Sequence, residues 1–480
     1  MMKNDIKVLF VASECTPIAK VGGLGDVIGS LPKALNKLGL DVRIVLPKYG
    51  IIDEKKYPSQ LVAPGIKVNG EKINVYQAFL PQSKVVLYLL ENKRYFGEND
   101  VYFERTAFVG SFKEIGRFLF FSKAILEIFP VIHWSPQIIH CHDWHTAILP
   151  ALIKIKKLKI KNLLTIHNLA NQARWDQKEI LDFLGLKGNE IESLKVRDKN
   201  NDFNIFQQGI LTADILNTVS PAYGKEILTK EYGAGLNKEL KARKDSLYGV
   251  LNGIDVDFFN PETDPNIKVN YSLKNFERKK ENKINLQEIV DFPKNKNTPL
   301  IGFVNRLTPQ KGVDLIIDVI PELVKMGIQL IILGVGLAEY EKKLGELGKK
   351  YPKNISCQIK FAPILAQRIY AGCDIFLMPS KFEPCGLGQM IALRYGTIPI
   401  VRKTGGLADT VKNKINGFVF EKYKSEALLG VLKEALKCYQ KQKNWNEIVK
   451  RAMSGDFSWQ KSALEYLKLY NKLVKTLKNY

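Results

Sequence analysis

Cysteine and histidine are scarce in this chain of 480 residues, which holds six of the first and five of the second. Cys15, Cys141, Cys357, Cys373, Cys385 and Cys438 are too few and too scattered to form a disulfide framework, so they read as free thiols in a reducing compartment. Long apolar runs are missing too. Nothing approaches the ~18 residues of a membrane span, and Val8 to Ala12 falls short of the roughly 7 to 15 residues of a signal-peptide core, which makes the cytoplasm the expected location. Two nucleotide-binding signatures fail by spacing. Gly334-Val-Gly336 is followed by Glu339 where the dinucleotide fingerprint needs glycine, and Gly23-Leu-Gly25 fails likewise at Ile28. Gly224-Lys225 precedes Glu226 and Gly348-Lys349 precedes Lys350, so there is no Walker A loop. These spacings argue against a nicotinamide dehydrogenase and a P-loop ATPase.

What is present is an ordinary globular composition, 45% hydrophobic, 10% aromatic and 25% charged, in a chain long enough for two large domains or three smaller ones. Basic residues number 72 against 49 acidic, a formal charge of +23 that suits nucleic acid, anionic lipid or phosphorylated ligands alike.

The first 50 residues read as strand, glycine turn, helix, strand. Val8 to Ala12 and Val42 to Leu46 are the apolar runs; Val27, Leu31, Leu35 and Leu38 recur at helical spacing, with Asp26 placed to cap the start and Gly39 the end. Pro32 within that pattern should kink the helix or shift its start. From Pro299 the alternation returns as Leu300 to Val304, Ile328 to Leu333, Ile375 to Met378 and Ile398 to Val401, separated by helical stretches such as Val313 to Lys325. Parallel α/β layers are expected in both halves. Between them, about 260–297, a stretch rich in Lys, Asn and Glu reads either as a loosely packed excursion or as a solvated amphipathic helix pair.

Several loops could carry chemistry. Lys20-Val-Gly22-Gly23-Leu-Gly-Asp26 is echoed by Lys403-Thr404-Gly405-Gly406-Leu-Ala-Asp409, each after an apolar run. Paired glycines let a ligand approach the backbone, and the following helix start offers N–H groups; two such facing loops fit one cleft between two Rossmann-like domains, while either alone is equally an ordinary turn. Asn305-Arg306-Leu-Thr-Pro-Gln-Lys311-Gly312 leaves a strand with an Arg and a Lys suited to gripping a diphosphate and offsetting charge as it departs. Lys381-Phe-Glu383-Pro-Cys385-Gly386-Leu387-Gly388 puts a carboxylate before a helix start, where it can accept hydrogen bonds from substrate hydroxyls or merely complement the helix dipole. His140-Cys141-His142-Asp143-Trp144-His145 has no zinc-signature spacing; Asp143, and His167 in Thr165-Ile-His-Asn168, instead occupy strand-end positions. No metal is expected.

Together with Thr218-Val-Ser-Pro221 and Leu251-Asn252-Gly-Ile-Asp255, these loops resemble, in order and over nearly the whole chain, the bacterial glycogen synthase and plant starch synthase family. The resemblance implies an α/β GT-B architecture, two Rossmann-like domains facing across a deep cleft, with borders expected at 1–251 and 252–458 and a final helix, 459–480, returning to the N-terminal domain. It implies retaining transfer of glucose from ADP-glucose to the non-reducing end of an α-1,4-glucan such as glycogen, with the donor as substrate and no cofactor. By resemblance, Lys20, Gly22 and Gly23 form a donor loop, Arg306 and Lys311 the diphosphate clamp, and Glu383 holds glucose hydroxyls and supports positive charge. Asp26, Asp143, His167 and Asn252 resemble further glucosyl contacts; Cys385, Gly386, Leu387 and Thr404 belong to the donor loops, Gly405 and Gly406 would present N–H groups, and Phe361 would stack on adenine.

The chain departs from the family pattern at Gly388, Asn171, Ala173, Gln207, Val335 and Leu337, while Ile391 stands where relatives using sucrose or UDP-sugars carry a second acid. The competing readings are another GT-B enzyme using a UDP-sugar, or a nucleic-acid or membrane-surface binder using the lysines of 153–161. A neutral glucan calls for no such charge, and the expected partners include neither nucleic acid nor membrane.

Overall fold

The computed structural model describes residues 6–103, 108–109, 111–187 and 202–477. Contacts divide the chain into two compact units, Met1–Gly253 with Trp459–Tyr480, and Ile254–Ser458. The division falls two residues beyond the expected border, which puts Asn252 in the first unit.

In the first unit, strands β1 (Lys7–Val11), β2 (Asp41–Pro47), β3 (Gln60–Val68), β4 (Glu71–Phe79), β5 (Val86–Glu91), β6 (Phe108–Val109), β7 (Ile138–His142), β8 (Lys161–Ile166), β9 (Gln172–Asp176), β10 (Asp202–Asn204), β11 (Ile215–Thr218) and β12 (Leu247–Gly249) form two sheets. The large one runs β12-β11-β8-β7-β1-β2-β5-β4-β3, parallel except at β3 and β4, and β10-β9-β6 make a small ribbon. β1 and β7 are buried almost throughout, β7 with His140 and His142 among its five residues. The antiparallel addition is built on Asn69-Gly70, both at positive φ, a two-residue turn between Val68 and Glu71.

Helix Gly23–Lys37 begins three residues before Asp26 and runs on through Pro32, correcting the expected start. Its cap residue is Gly22, and Asp26 sits in the first turn. Helix Trp459–Leu477 packs on it, burying Trp459, Ala463, Tyr466 and Tyr470 in the same core as Val8, Phe10 and Val27. Two tyrosine hydroxyls pin it to strand residues: Tyr470 to His140 at 2.8 Å and Tyr466 to Asn217 at 2.8 Å.

The second unit has one six-stranded parallel sheet of β13 (Leu300–Val304), β14 (Gln329–Leu333), β15 (Ile355–Gln358), β16 (Ile375–Met378), β17 (Ile398–Arg402) and β18 (Phe418–Phe420), ordered β15-β14-β13-β16-β17-β18. In each sheet sequence order reverses at the central strand, so the loops leaving the carboxyl ends of neighbouring strands gather at one edge.

The lysine-rich stretch before β13 is neither loose nor a helix pair. A short turn, Phe276–Arg278, leads into one helix, Lys279–Ile289, held by buried lysines. The Lys279 ammonium donates to the carbonyls of Tyr370 and Ala371 and to Thr397 Oγ1 at 2.6–3.0 Å, and burial pushes its pKa down to about 7. Lys283 reaches Asp374 at 2.7 Å and Tyr439 Oη at 3.0 Å. A sequence average sees these lysines as solvated charge, whereas three acceptors each make them anchors. Lys279→Ala removes three buried hydrogen bonds from a charged donor, so it should cost about 3 kcal/mol of stability in denaturant unfolding, while the exposed neighbour Lys280→Ala should stay within about 0.5 kcal/mol.

Candidate functional site

At the carboxyl edge of the first unit's sheet, the loop after β1 is shaped by Glu14. Its Oε2 accepts the N–H groups of Val21 at 2.7 Å and Gly22 at 2.6 Å, while Oε1 accepts the Tyr102 hydroxyl at 2.7 Å. The N–H groups of Val21 and Gly22, just before the helix start, are therefore already satisfied by a carboxylate. Gly23 differs: a Cβ there would meet no atom within 4 Å, so no packing contact demands its glycine. Lys20 and Asp26 pair at 2.6 Å with both side chains partly exposed.

Asp143 follows β7 with φ 55° and ψ −172°, a conformation that stores about 1–3 kcal/mol in a residue with a side chain. Its Oδ1 accepts the backbone N–H of His167 at 2.7 Å and of Asn168 at 3.3 Å, joining the ends of β7 and β8. Burial raises its pKa to about 7, against the opposing pull of these two hydrogen bonds. Burial likewise lowers His167 and His145 to about 3, so both rings are neutral at pH 7, and His167 Nε2 shares a hydrogen with His142 Nδ1 at 2.9 Å. Other histidines serve packing and pairing: His140 bonds Tyr470 and Thr165, and His145 stacks on Tyr102. His145 Nδ1, His142 Nε2 and Asn252 Oδ1 are among the buried polar atoms without a hydrogen-bond partner, the kind of atoms that can mark a site.

In the second unit, Lys311 and Glu383 meet at 2.6 Å, both largely buried, and Ser380 Oγ donates to the same carboxylate oxygen at 3.1 Å. Gly312, at φ +73°, makes this approach possible: a Cβ there would lie 2.2 Å from the Pro379 carbonyl. Lys311 is therefore bound to the carboxylate, whereas Arg306, its expected partner in a clamp, is exposed on the same loop. Gly405 and Gly406 also serve the Glu383 loop. A Cβ on Gly405 would lie 1.9 Å from the Glu383 carbonyl oxygen, and one on Gly406 2.2 Å from that of Cys385. The Gly406 N–H donates to the carbonyls of Glu383 and Pro384, both at 3.2 Å, so it is not presented to a ligand as expected.

Cys385 and Thr404 are buried in this clasp, with Gly386, at φ +74°, and Leu387 partly exposed beside them. Arg402 was not singled out in the sequence; its guanidinium donates to the carbonyls of Ser380 and Lys381 and braces the loop from β17. Glu14 was missed as well. For Arg402 the available signal was a charged residue closing an otherwise buried strand, whereas Glu14, three residues beyond β1, carried no such mark. Phe361, which as a bare residue reads as core, is 84% exposed.

Two Rossmann-like sheets with these carboxyl-edge loops define a GT-B glycosyltransferase. Residues 7–242 match the family model for the starch synthase catalytic domain, and 285–452 that for glycosyl transferases group 1. A glycogen synthase of Thermotoga petrophila is 43% identical over 491 residues, covering 98% of this chain and 99% of the relative. The catalytic domain of starch synthase IV from Arabidopsis thaliana, solved with ADP and acarbose, superposes with a TM-score of 0.88 at 33% identity, covering 98% of this chain and all of that one. A sucrose-phosphate synthase of Thermosynechococcus elongatus, at 15% identity and TM-score 0.62, shares the fold alone. The chain belongs to the glycogen synthase family. None of its described helices is long and apolar enough to cross a membrane.

The Asp143 carboxyl has a measurable signature. Because its folded-state pKa is raised from 3.8 to about 7, the folded protein holds a proton that the unfolded chain has released across that interval. Stability should therefore fall as pH rises from about 4 to about 7, then level off, by on the order of a few kcal/mol. In Asp143→Asn, followed by denaturant unfolding across that range, this part of the slope should vanish.

Proposed function

We propose that this glycosyltransferase extends α-1,4-glucan by moving glucose from ADP-glucose to the non-reducing chain end with retention of configuration, as a cytoplasmic enzyme. The observation that carries the reading is the buried Lys311–Glu383 pair, set in loops of a chain that belongs to the glycogen synthase family. An ammonium has three donor positions, so Lys311 can keep Glu383 and still donate to a phosphate oxygen. Arg306, exposed on the same loop, offers a planar fork to the diphosphate, and together the two cations offset charge as ADP leaves.

Glu383, its position over-determined by Lys311, Ser380 and the glycine clasp, accepts hydrogen bonds from glucose hydroxyls and stabilises the positive charge that grows at the sugar ring. Phe361 gives the adenine an aromatic face, and the ADP of the starch synthase IV structure supports that donor. From the first unit, Lys20 with Gly22 and Gly23 serves the donor, and Asp26, Asp143, His167 and Asn252 serve the glucosyl group. A neutral His167 suits a hydrogen-bonding role toward an uncharged sugar. ADP-glucose is a substrate here, and the reaction as proposed calls on no metal or cofactor.

The test is incorporation of labelled glucose into glycogen from ADP-glucose and, separately, from UDP-glucose. Incorporation from ADP-glucose is expected, with a loss of about 10²-fold or more in Glu383→Gln, an isosteric change that removes the charge. Incorporation from UDP-glucose alone would overturn the donor, and a fully active Glu383→Gln would remove that carboxylate from the chemistry.

A further inference from the structure

At the opposite, amino edge of the second unit's sheet lies a groove of about 700 Å³, within the range of small-molecule sites. Met326, Ile328, Leu436 and Tyr439 line it with apolar surface. Around them stand four exposed lysines from three parts of the chain: Lys280 on helix Lys279–Ile289, Lys296 before β13, and Lys433 and Lys437 on helix Ser425–Gln440. No residue lining the groove is acidic, and none of the four takes part in an ion pair among the described residues. The nearby carboxylate Glu322 is held low first by Lys325, its own partner, and only at longer range by Lys433.

Some lysines of this surface have acidic partners, Lys294 with Glu288, Lys325 with Glu322, Lys403 with Glu421 and Lys414 with Glu434; what sets the groove apart is that four without one converge on a single apolar floor. Lys433 and Lys437 are four apart on one helix and therefore share a face, an arrangement that is unfavourable unless something anionic offsets it. Four unmatched ammonium groups around an apolar floor are complementary to a compact molecule with carbon–hydrogen surface and about four negative charges, the charge carried by two phosphoryl groups near pH 7.

We infer that this groove binds a small organic bisphosphate, its phosphoryl groups held by Lys280, Lys296, Lys433 and Lys437 and its body resting on Met326, Ile328, Leu436 and Tyr439. The groove lies at the other end of the strands from Glu383 and Lys311, so its occupant is distinct from the donor. The +23 charge, for which a neutral glucan offers no use, finds part of its purpose here.

The test is isothermal titration of the full chain with glucose 1,6-bisphosphate at physiological ionic strength, beside a Lys433→Gln/Lys437→Gln double variant. One site is expected, weakened by about tenfold or more in the variant. Both lysines are exposed, so an unchanged melting temperature in the variant will show that the fold is intact. Absence of binding, or equal affinity in the two proteins, would overturn the proposal. So would heparin retention that the variant loses while the bisphosphate never binds, because the lysines would then serve an extended polyanion. Heat of binding is read directly, so this outcome is independent of whether the chain transfers glucose.

Discussion

The Lys311–Glu383 contact is the interaction around which the second unit's carboxyl edge is arranged. It joins the loop leaving β13 to the loop leaving its neighbour β16, and each side needs a special backbone: Gly312 against Pro379 on one, Gly405 and Gly406 against 383–385 on the other. A buried ion pair is a poor source of stability, since desolvation offsets much of the attraction. Its value is position. Lysine, serine, an arginine-braced backbone and a glycine clasp together leave the Glu383 carboxylate little freedom, as preorganised catalysis requires.

The first unit follows the same logic with different parts. Glu14 reaches across to the start of helix Gly23–Lys37 and fixes the Lys20 loop, as Asp143 reaches across to the start of the loop after β8. In both, a carboxylate on one strand end accepts backbone N–H groups from another segment. The strained φ of Asp143 and the neutrality of the surrounding histidines belong together: burial that suppresses imidazolium also raises the carboxyl, leaving a polar cluster of low net charge. Such a cluster suits sugar hydroxyls better than phosphate.

Much of this could be read in the amino acids, and the failures have physical causes. β13, β16 and helix Val313–Lys325 fall on their expected residues because parallel strands are near-continuous apolar runs and the helix has a strong apolar stripe. The hairpin of β3 and β4 was passed over although Asn69-Gly70 marks it, because its edge strand is mostly exposed and lacks an apolar run. The start of helix Gly23–Lys37 was misplaced because the cap that matters is not local: Glu14 lies eight residues before Gly22. The N–H of Gly406 was misassigned for a related reason. A glycine required by a ligand and one required by a neighbouring carbonyl look alike until the carbonyl is located.

The lysines of the second unit extend the argument from one edge of the sheet to the other. Lys283 bonds both Tyr439, in the floor of the amino-edge groove, and Asp374, which also accepts the Leu300 N–H at the start of β13. Asp374 immediately precedes β16, and two residues beyond that strand Ser380 bonds Glu383. A continuous set of contacts therefore runs the length of a single strand, from groove to carboxylate. Continuity alone transmits nothing, because a close-packed strand with one stable position delivers no signal whatever binds at its end. An occupant of the groove would alter transfer only if it bound two positions of this strand unequally. In the present arrangement, Lys283 holds Asp374 at its amino end while Lys279 and Lys283 make five further hydrogen bonds to the segments around it, which favours one position. Occupancy is then expected to stabilise the second unit by mass action while leaving the geometry at Glu383 as it stands.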